Sequence, residues 1–190
     1  MTQKSCNILL NGSRRKSYEP NGLLNIGVNI PWAPAEYTIV DDMHSIKNMI
    51  KNWNVDPLPK NTKIIMSFIK YKFLKQHGGL ETIKDRLHAV YKTSNPNTKQ
   101  YGKSSGHDAC EWAISQGYTV LNIYGCDNYF GDDECLESFT HDFENNKFAT
   151  VNKYVDLLTE QERIERGILW RAKWHYMINK YPGVTFNFVP

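Results

Sequence analysis

Residues 104–124 read SSGHDACEWAISQGYTVLNIY, a stretch with the signals of a capped helix followed directly by a strand. The serines at its start are residues that cap helices, and a mixed apolar and polar segment continues from them to Gln116. Gly117 is the residue type that ends helices, and 119–124 is an apolar run of strand length. The stretch therefore predicts a loop, a helix and a strand in succession, which is the repeating unit of α/β proteins.

The rest of the chain continues this alternation. Apolar runs of strand length, each closed by turn-forming or polar residues, occupy 6–10, 23–28, 37–40, 62–68 and 184–189. Helical spacing predicts helices over 45–53 and 160–181, and residues 93–104 read as an exposed loop. In the long helix Ile164, Ile168, Ala172 and Tyr176 recur every fourth residue, and this apolar face is widened by Trp170, Trp174 and Met177. We therefore expect one Rossmann-like α/β domain over residues 1–190, with a mainly parallel sheet and helices on both faces.

Composition and charge set bounds on the class of protein. The chain has 190 residues, 41% of them hydrophobic and 13% aromatic, which is typical of a folded domain rather than a disordered one. A net charge of +3 favours anionic partners without marking a nucleic-acid binder. The apolar residues 8–10 are too few for a signal-peptide core or a membrane span, so we expect a cytoplasmic protein.

The cysteines carry no chemical motif. Cys6, Cys110, Cys126 and Cys135 form neither a C-x-x-C pair nor a zinc-binding pattern with nearby histidines. Three of them lie in apolar surroundings, for which buried, reduced thiols are the expected state.

A candidate phosphate-binding loop follows the first predicted strand. In parallel sheets ligands bind beyond the carboxyl ends of the strands. Asn11, Gly12, Ser13 and Arg14 begin a loop that continues with two more cations, and such a loop can hold phosphate through backbone N–H groups and charge. It matches neither the Walker loop nor the dinucleotide fingerprint. The alternative is an ordinary tight turn followed by a solvated basic stretch.

Two further loops could contribute to the same edge. Ser104, Ser105 and Gly106 open a helix whose free N–H groups and positive end can face an anion, although a plain N-cap explains the serines equally well. His107 could contact a ligand or simply face solvent. Asp41 and Asp42 follow the third strand, where capping or substrate contact is favoured over a cation site because no third ligand is identifiable.

The residues after the strand at 119–124 include candidates for catalysis. Asp127 could bind ribose hydroxyls or a metal, and Tyr129 could donate a hydrogen bond to a departing phosphate. His141 has a neighbouring carboxylate in a polar stretch that we interpret as a loop, so it is the candidate general base; the alternative is a surface histidine.

Taken as a set in chain order, these motifs resemble a known family. Asn-Gly-Ser at 11–13, Asn29, Ser-Ser-Gly at 104–106 and Gly-Cys-Asp-Asn-Tyr at 125–129 are similar to motifs of the bacterial lipooligosaccharide sialyltransferases. They are also similar to those of the related motility-associated glycosyltransferase-like proteins. The family pattern Asn-Gly-Pro-Ser is Asn-Gly-Ser-Arg in this chain, which is shorter than those enzymes.

The resemblance implies a glycosyltransferase that needs neither a metal nor a tightly bound cofactor. Its donor, a UDP- or CMP-sugar, would contact five residues: Asn11, Ser13, Asn29, Ser105 and Gly106. Asp127 and Tyr129 would lie near the sugar phosphate, and His141 corresponds loosely to the family's basic histidine.

The sequence does not decide whether the acceptor is a glycan or DNA. The lysines Lys60, Lys63, Lys70, Lys72 and Lys75 are interleaved with the aromatic residues Phe68, Tyr71 and Phe73. This pattern is compatible with a nucleic-acid surface, and then with a hydroxymethylated pyrimidine of phage-type DNA as acceptor. It is more typical of a solvated helix face with core aromatics. A different class of function, nucleic-acid binding without catalysis, would use the same surface.

Overall fold

The computed structural model describes residues 3–51, 58, 61–91, 104–130, 137–142, 147–152 and 159–190. Its strands are β1 (Ser5–Leu9), β2 (Leu24–Val28), β3 (Tyr37–Ile39), β4 (Lys63–Ser67), β5 (Leu87–Tyr91), β6 (Val120–Tyr124), β7 (Glu137–Asp142), β8 (Lys147–Asn152) and β9 (Thr185–Phe188). Its helices are α1 (Met43–Lys51), α2 (Phe68–Gln76), α3 (Leu80–Ile83), α4 (Ser105–Ser115) and α5 (Glu160–Lys180). Short 3-10 helices cover Ser13–Ser17 and Asp127–Phe130.

Seven of the strands form one parallel sheet in the order β5-β4-β3-β2-β1-β6-β9. From β1 the chain builds outward through β2 to β5 on one side, and later through β6 and β9 on the other. The direction of winding therefore reverses between β1 and β6, which is the position where Rossmann-like folds form a ligand crevice. This architecture confirms the predicted Rossmann-like α/β fold with a parallel sheet.

Helices cover both faces of the sheet, as predicted. Alternation along β4 shows this directly, because Ile65 joins one hydrophobic cluster while Ile64 and Met66 join another. The first cluster contains the buried residues of α4 and α5, and the second contains those of α1, α2 and α3. Both faces are thus closed by apolar contacts, as an all-parallel sheet requires.

The connection from β2 to β3 is unusually short for two parallel neighbours. Only residues 29–36 link them, whereas such crossovers usually take a dozen residues or more. Gly27 makes the tight return possible, since a Cβ at this position would lie 2.5 Å from Cβ of Pro31. The loop also folds toward β1, where the indole N–H of Trp32 donates to the carbonyl of Leu10 at 2.9 Å.

A row of asparagines crosses four strands in register. Asn7 of β1 pairs with Asn25 of β2 and Asn122 of β6, and Asn122 pairs with Asn187 of β9. Their side-chain amides are linked by hydrogen bonds of 2.9 to 3.2 Å. Asn7 is fully buried, so the ladder supplies the partners that its amide needs inside the sheet.

Three parts of the architecture differ from the sequence prediction. The prediction lacked α2, α3 and β5, and it lacked the antiparallel hairpin of β7 and β8. In α5 the predicted apolar face is confirmed at Trp174 and Met177, which are buried, and is wrong at Ile168 and Tyr176, which are 52% and 56% exposed. The buried face of α5 is set by the contacts of the Trp174 ring with His107 and Phe188 and not by the spacing of every fourth residue. The predicted loop at 93–104 lies outside the described residues except for Ser104.

Burial suppresses the reactivity of three cysteine thiols. Cys6, Cys110 and Cys126 are buried and unpaired with one another in disulfides, which confirms the prediction for these three, while Cys135 lies outside the described residues. Burial raises the pKa of Cys6 to about 12 and raises the pKa of Cys110 and of Cys126 well above the usual value, because a thiolate would lose its hydration. Among the described residues, no helix is long and apolar enough to cross a membrane.

We expect these three thiols to resist alkylation in the native protein at pH 8, because the reactive thiolate is almost unpopulated and inaccessible. Iodoacetamide labelling followed by peptide mass spectrometry should show modification of all three only after denaturation. Rapid native labelling of Cys6 or Cys110 would contradict the burial described above.

Candidate functional site

Four of the predicted segments meet at the carboxyl edge of the sheet. Asn11 follows β1, Asn29 follows β2, and Asp127 follows β6, so the three leave neighbouring strands at the same edge. The start of α4 lies over the end of β1, where a Cβ on Gly106 would be 2.9 Å from a methyl group of Leu10. The structure therefore brings together the asparagine, serine-glycine and aspartate motifs that are distant in sequence.

The loops after β1 and β6 are bonded tightly to each other. The Gly12 N–H donates to the carbonyl of Gly125 at 3.1 Å. The carboxylate of Asp127, only 3% exposed, accepts the backbone N–H of Ser13 at 2.6 Å and that of Arg14 at 3.0 Å. The backbone N–H groups of Ser13 and Arg14, which the sequence predicts to bind phosphate, therefore donate to the carboxylate of Asp127. This carboxylate supplies the hydrogen-bond acceptors that the first turn of the 3-10 helix requires. This arrangement gives Asp127 a clear structural role.

Gly12 is required by this contact. A Cβ at Gly12 would lie 2.5 Å from Oδ2 of Asp127 and 2.7 Å from its carboxyl carbon. Both distances are shorter than any normal nonbonded contact, so the two loops can approach only because residue 12 has no side chain.

Asn11 and Asn29 present unsatisfied polar atoms at the ends of adjacent strands. The side-chain oxygen of each is buried and has no hydrogen-bond partner. Asn29 also has a positive φ of 53°, and its backbone is fixed by bonds to Ile39 and Thr38. A buried amide oxygen without a partner costs about 1–3 kcal/mol, which a ligand donor could recover. Adjacent strands are about 4.8 Å apart, so one small ligand can reach both positions.

The first turn of α4 is built around His107. Its side chain is 1% exposed and stacks on Trp174 with ring centroids 3.9 Å apart, so the solvent-facing alternative is wrong. Nδ1 accepts the backbone N–H of Ser104 at 3.0 Å and lies 2.9 Å from its hydroxyl oxygen. Ser104 and His107 therefore organise the turn, and they leave the half-buried Ser105 as the hydroxyl that can face a ligand.

A second polar group, of which the sequence prediction named only Asp41, lies at the ends of β3, β4 and β5. The Ser67 hydroxyl donates to the carboxylate of Asp41. Burial, and then the carboxylates of Asp108 and Asp41, raise the pKa of Tyr91 well above its usual value. These residues extend the polar edge away from β1. They share a sequence signal, since Ser67 and Tyr91 end their strands and Asp41 follows its strand closely.

Asp42 has a structural role beside this group. Its carboxylate accepts the backbone N–H of Ser45 at 3.2 Å and the Ser45 hydroxyl at 2.7 Å. The prediction that one of the paired aspartates caps the following helix is confirmed for Asp42.

Tyr129 and His141 are placed differently from each other. The Tyr129 ring stacks on Phe188 at 3.6 Å with an interplanar angle of 8°, which fixes its orientation.

His141 lies on β7, paired in register with Phe148, so the prediction of a loop is wrong. The β7 sequence ESFTHD is mostly polar, and polar residues are typical of loops as well as of the solvated face of an antiparallel strand. β7 lies against the 3-10 helix Ser13–Ser17, on the side of the sheet edge that carries the basic loop.

The basic loop carries an exposed aromatic contact. The Arg14 guanidinium lies 4.4 Å from the centre of the Phe130 ring, which is 37% exposed. Arg15 donates from its guanidinium to the carbonyl of Gly12 at 3.3 Å. Cations and an aromatic ring therefore stand beside the β1–β6 junction.

Within the residues that the structure describes, no three histidine, cysteine or acidic side chains are grouped so that they could hold a metal ion. Comparisons with protein-family models, curated proteins and solved structures found no match to this chain.

Proposed function

We propose that this protein is a glycosyltransferase that binds a nucleotide-sugar at the carboxyl edge of its sheet and transfers the sugar to a hydroxyl group. The observation that carries the proposal is the pair of buried, unpartnered amide oxygens of Asn11 and Asn29. They stand on the β1 side of the switch point, where Rossmann-like sheets bind nucleotides.

The unsatisfied atoms indicate the kind of ligand. Two amide oxygens need hydrogen-bond donors, which the ribose hydroxyls or the exocyclic amine of a nucleoside supply. The ionised phosphate oxygens that link the nucleoside to the sugar are acceptors only, so they would leave both amide oxygens unsatisfied. The geometry thus favours a nucleoside at Asn11 and Asn29, with the phosphate directed toward the cationic loop.

Arg14 is the residue best placed to meet that phosphate, because it follows Asn11 closely and lies on Phe130 beside the junction. A fixed cation at this position would stabilise the negative charge that develops as the nucleotide departs. Tyr129, held by its stack on Phe188, would donate a hydrogen bond to the same group.

The transfer step requires a base for the acceptor. The acceptor oxygen forms a bond to the anomeric carbon, the bond from that carbon to the phosphate oxygen breaks, and the electron pair leaves with the nucleotide. His141 takes the acceptor proton in this proposal. The support is the position of β7 next to the basic loop.

Replacing Asn29 by glycine should weaken nucleotide-sugar binding about tenfold, the effect of losing roughly 1.4 kcal/mol of hydrogen bonding. Glycine keeps the positive φ of 53° without strain, so the variant removes the amide alone. Asn11→Ala should have a similar effect. Isothermal titration calorimetry with CMP-, UDP- and GDP-sugars measures both.

The matched control is Asn61→Gly. Asn61 also has a positive φ, 72°, but it precedes β4 at the opposite edge of the sheet. This variant should bind the donor as the wild type does. Equal affinity in Asn29→Gly and wild type would exclude this site, and a wild type that binds none of the three donors would exclude the proposed function.

A further inference from the structure

Positive charge is concentrated on α1, on α2 and on the strand β4 that precedes α2. Residues 43–51 and 61–80 contain six lysines and no acidic residue or arginine. The whole chain carries a net charge of only +3, so the other residues together are net negative. Charge separation of this kind creates a local positive potential that the overall composition conceals.

The lysines of the two helices belong to one surface. α1 and α2 pack on the same apolar cluster, through Ile46 and Leu74. On the outer side, the ammonium group of Lys47 lies 5.8 Å from the centre of the Phe73 ring, which joins the two helices across the surface. Of the five lysines on α1 and α2, four have exposed side chains: Lys47, Lys51, Lys72 and Lys75. We call this face the α1–α2 surface.

Aromatic and apolar side chains interrupt this surface and reach the sheet edge. Phe68 is 45% exposed and Ile69 is 50% exposed, and both stand directly after Ser67 at the carboxyl end of β4. Further along α2, Phe73 stacks on His77 with ring centroids 4.1 Å apart. Exposed aromatic rings can stack on nucleic-acid bases while the neighbouring lysines contact the phosphate backbone.

We infer that the α1–α2 surface binds single-stranded nucleic acid, and that a nucleic-acid base or sugar is the acceptor of the proposed transferase. The phosphates contact the lysines, while an unpaired base stacks on Phe68 at the edge shared with Ser67 and Asp41. A duplex would bind less tightly because its bases are already stacked and cannot reach the ring. The acceptor role depends on the proposed function, whereas the binding does not.

The charge component is tested with a fluorescein-labelled 20-nucleotide DNA strand by anisotropy from 50 to 200 mM NaCl. Lys72→Glu combined with Lys75→Glu should lower the affinity at least tenfold. It should also reduce the slope of log K against log salt by about 1.4, since each phosphate contact contributes about 0.7 for single strands. The charge-matched control, Lys4→Glu with Lys180→Glu, lies at the start of β1 and the end of α5, and should leave the slope unchanged.

The stacking component is tested by Phe68→Ser. It should lower the affinity for the single strand about tenfold without changing the salt slope, because it removes a stack and no charge. Tyr176→Ser is its control, since Tyr176 is an aromatic residue on α5 that is also exposed, at 56%. Thermal unfolding checks that all four variants are folded.

Three results would overturn the inference: no binding of the single strand at 50 mM NaCl, equal losses in test and control variants, or preferential binding to anionic phospholipid vesicles. Each of these three results is measured separately from the calorimetry with nucleotide-sugars, so it tests nucleic-acid binding apart from donor binding. DNA binding with no donor binding would leave a nucleic-acid-binding protein without transferase activity, and donor binding with no DNA binding would leave a transferase with another acceptor.

Discussion

Gly12→Ala is expected to lower the free energy of unfolding by about 2–3 kcal/mol and to abolish donor binding. The new methyl group would lie 2.5 Å from the Asp127 carboxylate and 2.4 Å from the carbonyl oxygen of Gly125. Neither neighbour is the free end of a flexible chain, since one is backbone and the other accepts two hydrogen bonds. The β1 and β6 loops must therefore separate, at a cost typical of overpacking. Urea denaturation measures the first effect and calorimetry the second.

Gly183→Ala is the matched control for this substitution. A Cβ at Gly183 meets no atom within 4 Å, and the residue lies in the turn before β9, away from the carboxyl edge. Its stability should equal or slightly exceed that of the wild type, because alanine restricts the unfolded chain. An unfolding midpoint for Gly12→Ala as high as that of Gly183→Ala would show that the loops can separate without loss.

The central architecture was predictable because the local signals agree with one another. The serine cap, Gly117 and the apolar run at 119–124 indicate the same loop, helix and strand that the structure contains in α4 and β6. Strand register could also have been predicted. Asn7, Asn25, Asn122 and Asn187 each stand between two apolar residues, in Cys-Asn-Ile, Leu-Asn-Ile twice, and Phe-Asn-Phe. A buried asparagine requires a partner, so aligning these triplets gives the observed ladder.

Other elements had no local signal of that strength. The α2 sequence FIKYKFLKQ alternates apolar and lysine residues at its start, a pattern that suits a strand as well as a helix. Its helical state follows from packing, because Leu74 must reach the cluster that contains Ile46 and Ile64. In α5 the buried face is selected by Trp174, which stacks on His107, a contact between residues far apart in sequence.

The site shows the same division between local and long-range information. The sequence placed Asn11, Asn29 and Asp127 at one edge, because loops after parallel strands must lie there. It could not show that the Asp127 carboxylate occupies the N–H groups of Ser13 and Arg14, since that contact joins residues 113 and 114 positions apart. The predicted phosphate cradle is therefore a structural junction, and the binding function in our proposal shifts to the asparagine side chains.

Asp127→Ala is expected to destabilise the protein by about 2–4 kcal/mol, because it leaves two backbone N–H groups without their charged acceptor. Asp127→Asn should cost about half as much, since one amide oxygen can still accept while the amide nitrogen faces the second N–H. Asp85→Asn removes the same charge at an exposed site and should change the unfolding free energy by less than about 0.5 kcal/mol. Urea denaturation compares the three.

A double variant tests whether Gly12 and Asp127 stabilise the protein through the same contact. Gly12→Ala and Asp127→Ala alter the same contact, so their combined effect on the unfolding free energy should be smaller than the sum of the single effects by about 1 kcal/mol or more. The reason is steric, since the methyl group added at Gly12 no longer meets the carboxylate once Asp127 is alanine. Strict additivity would mean that the two residues do not act on each other, and the junction between β1 and β6 would then not depend on their contact.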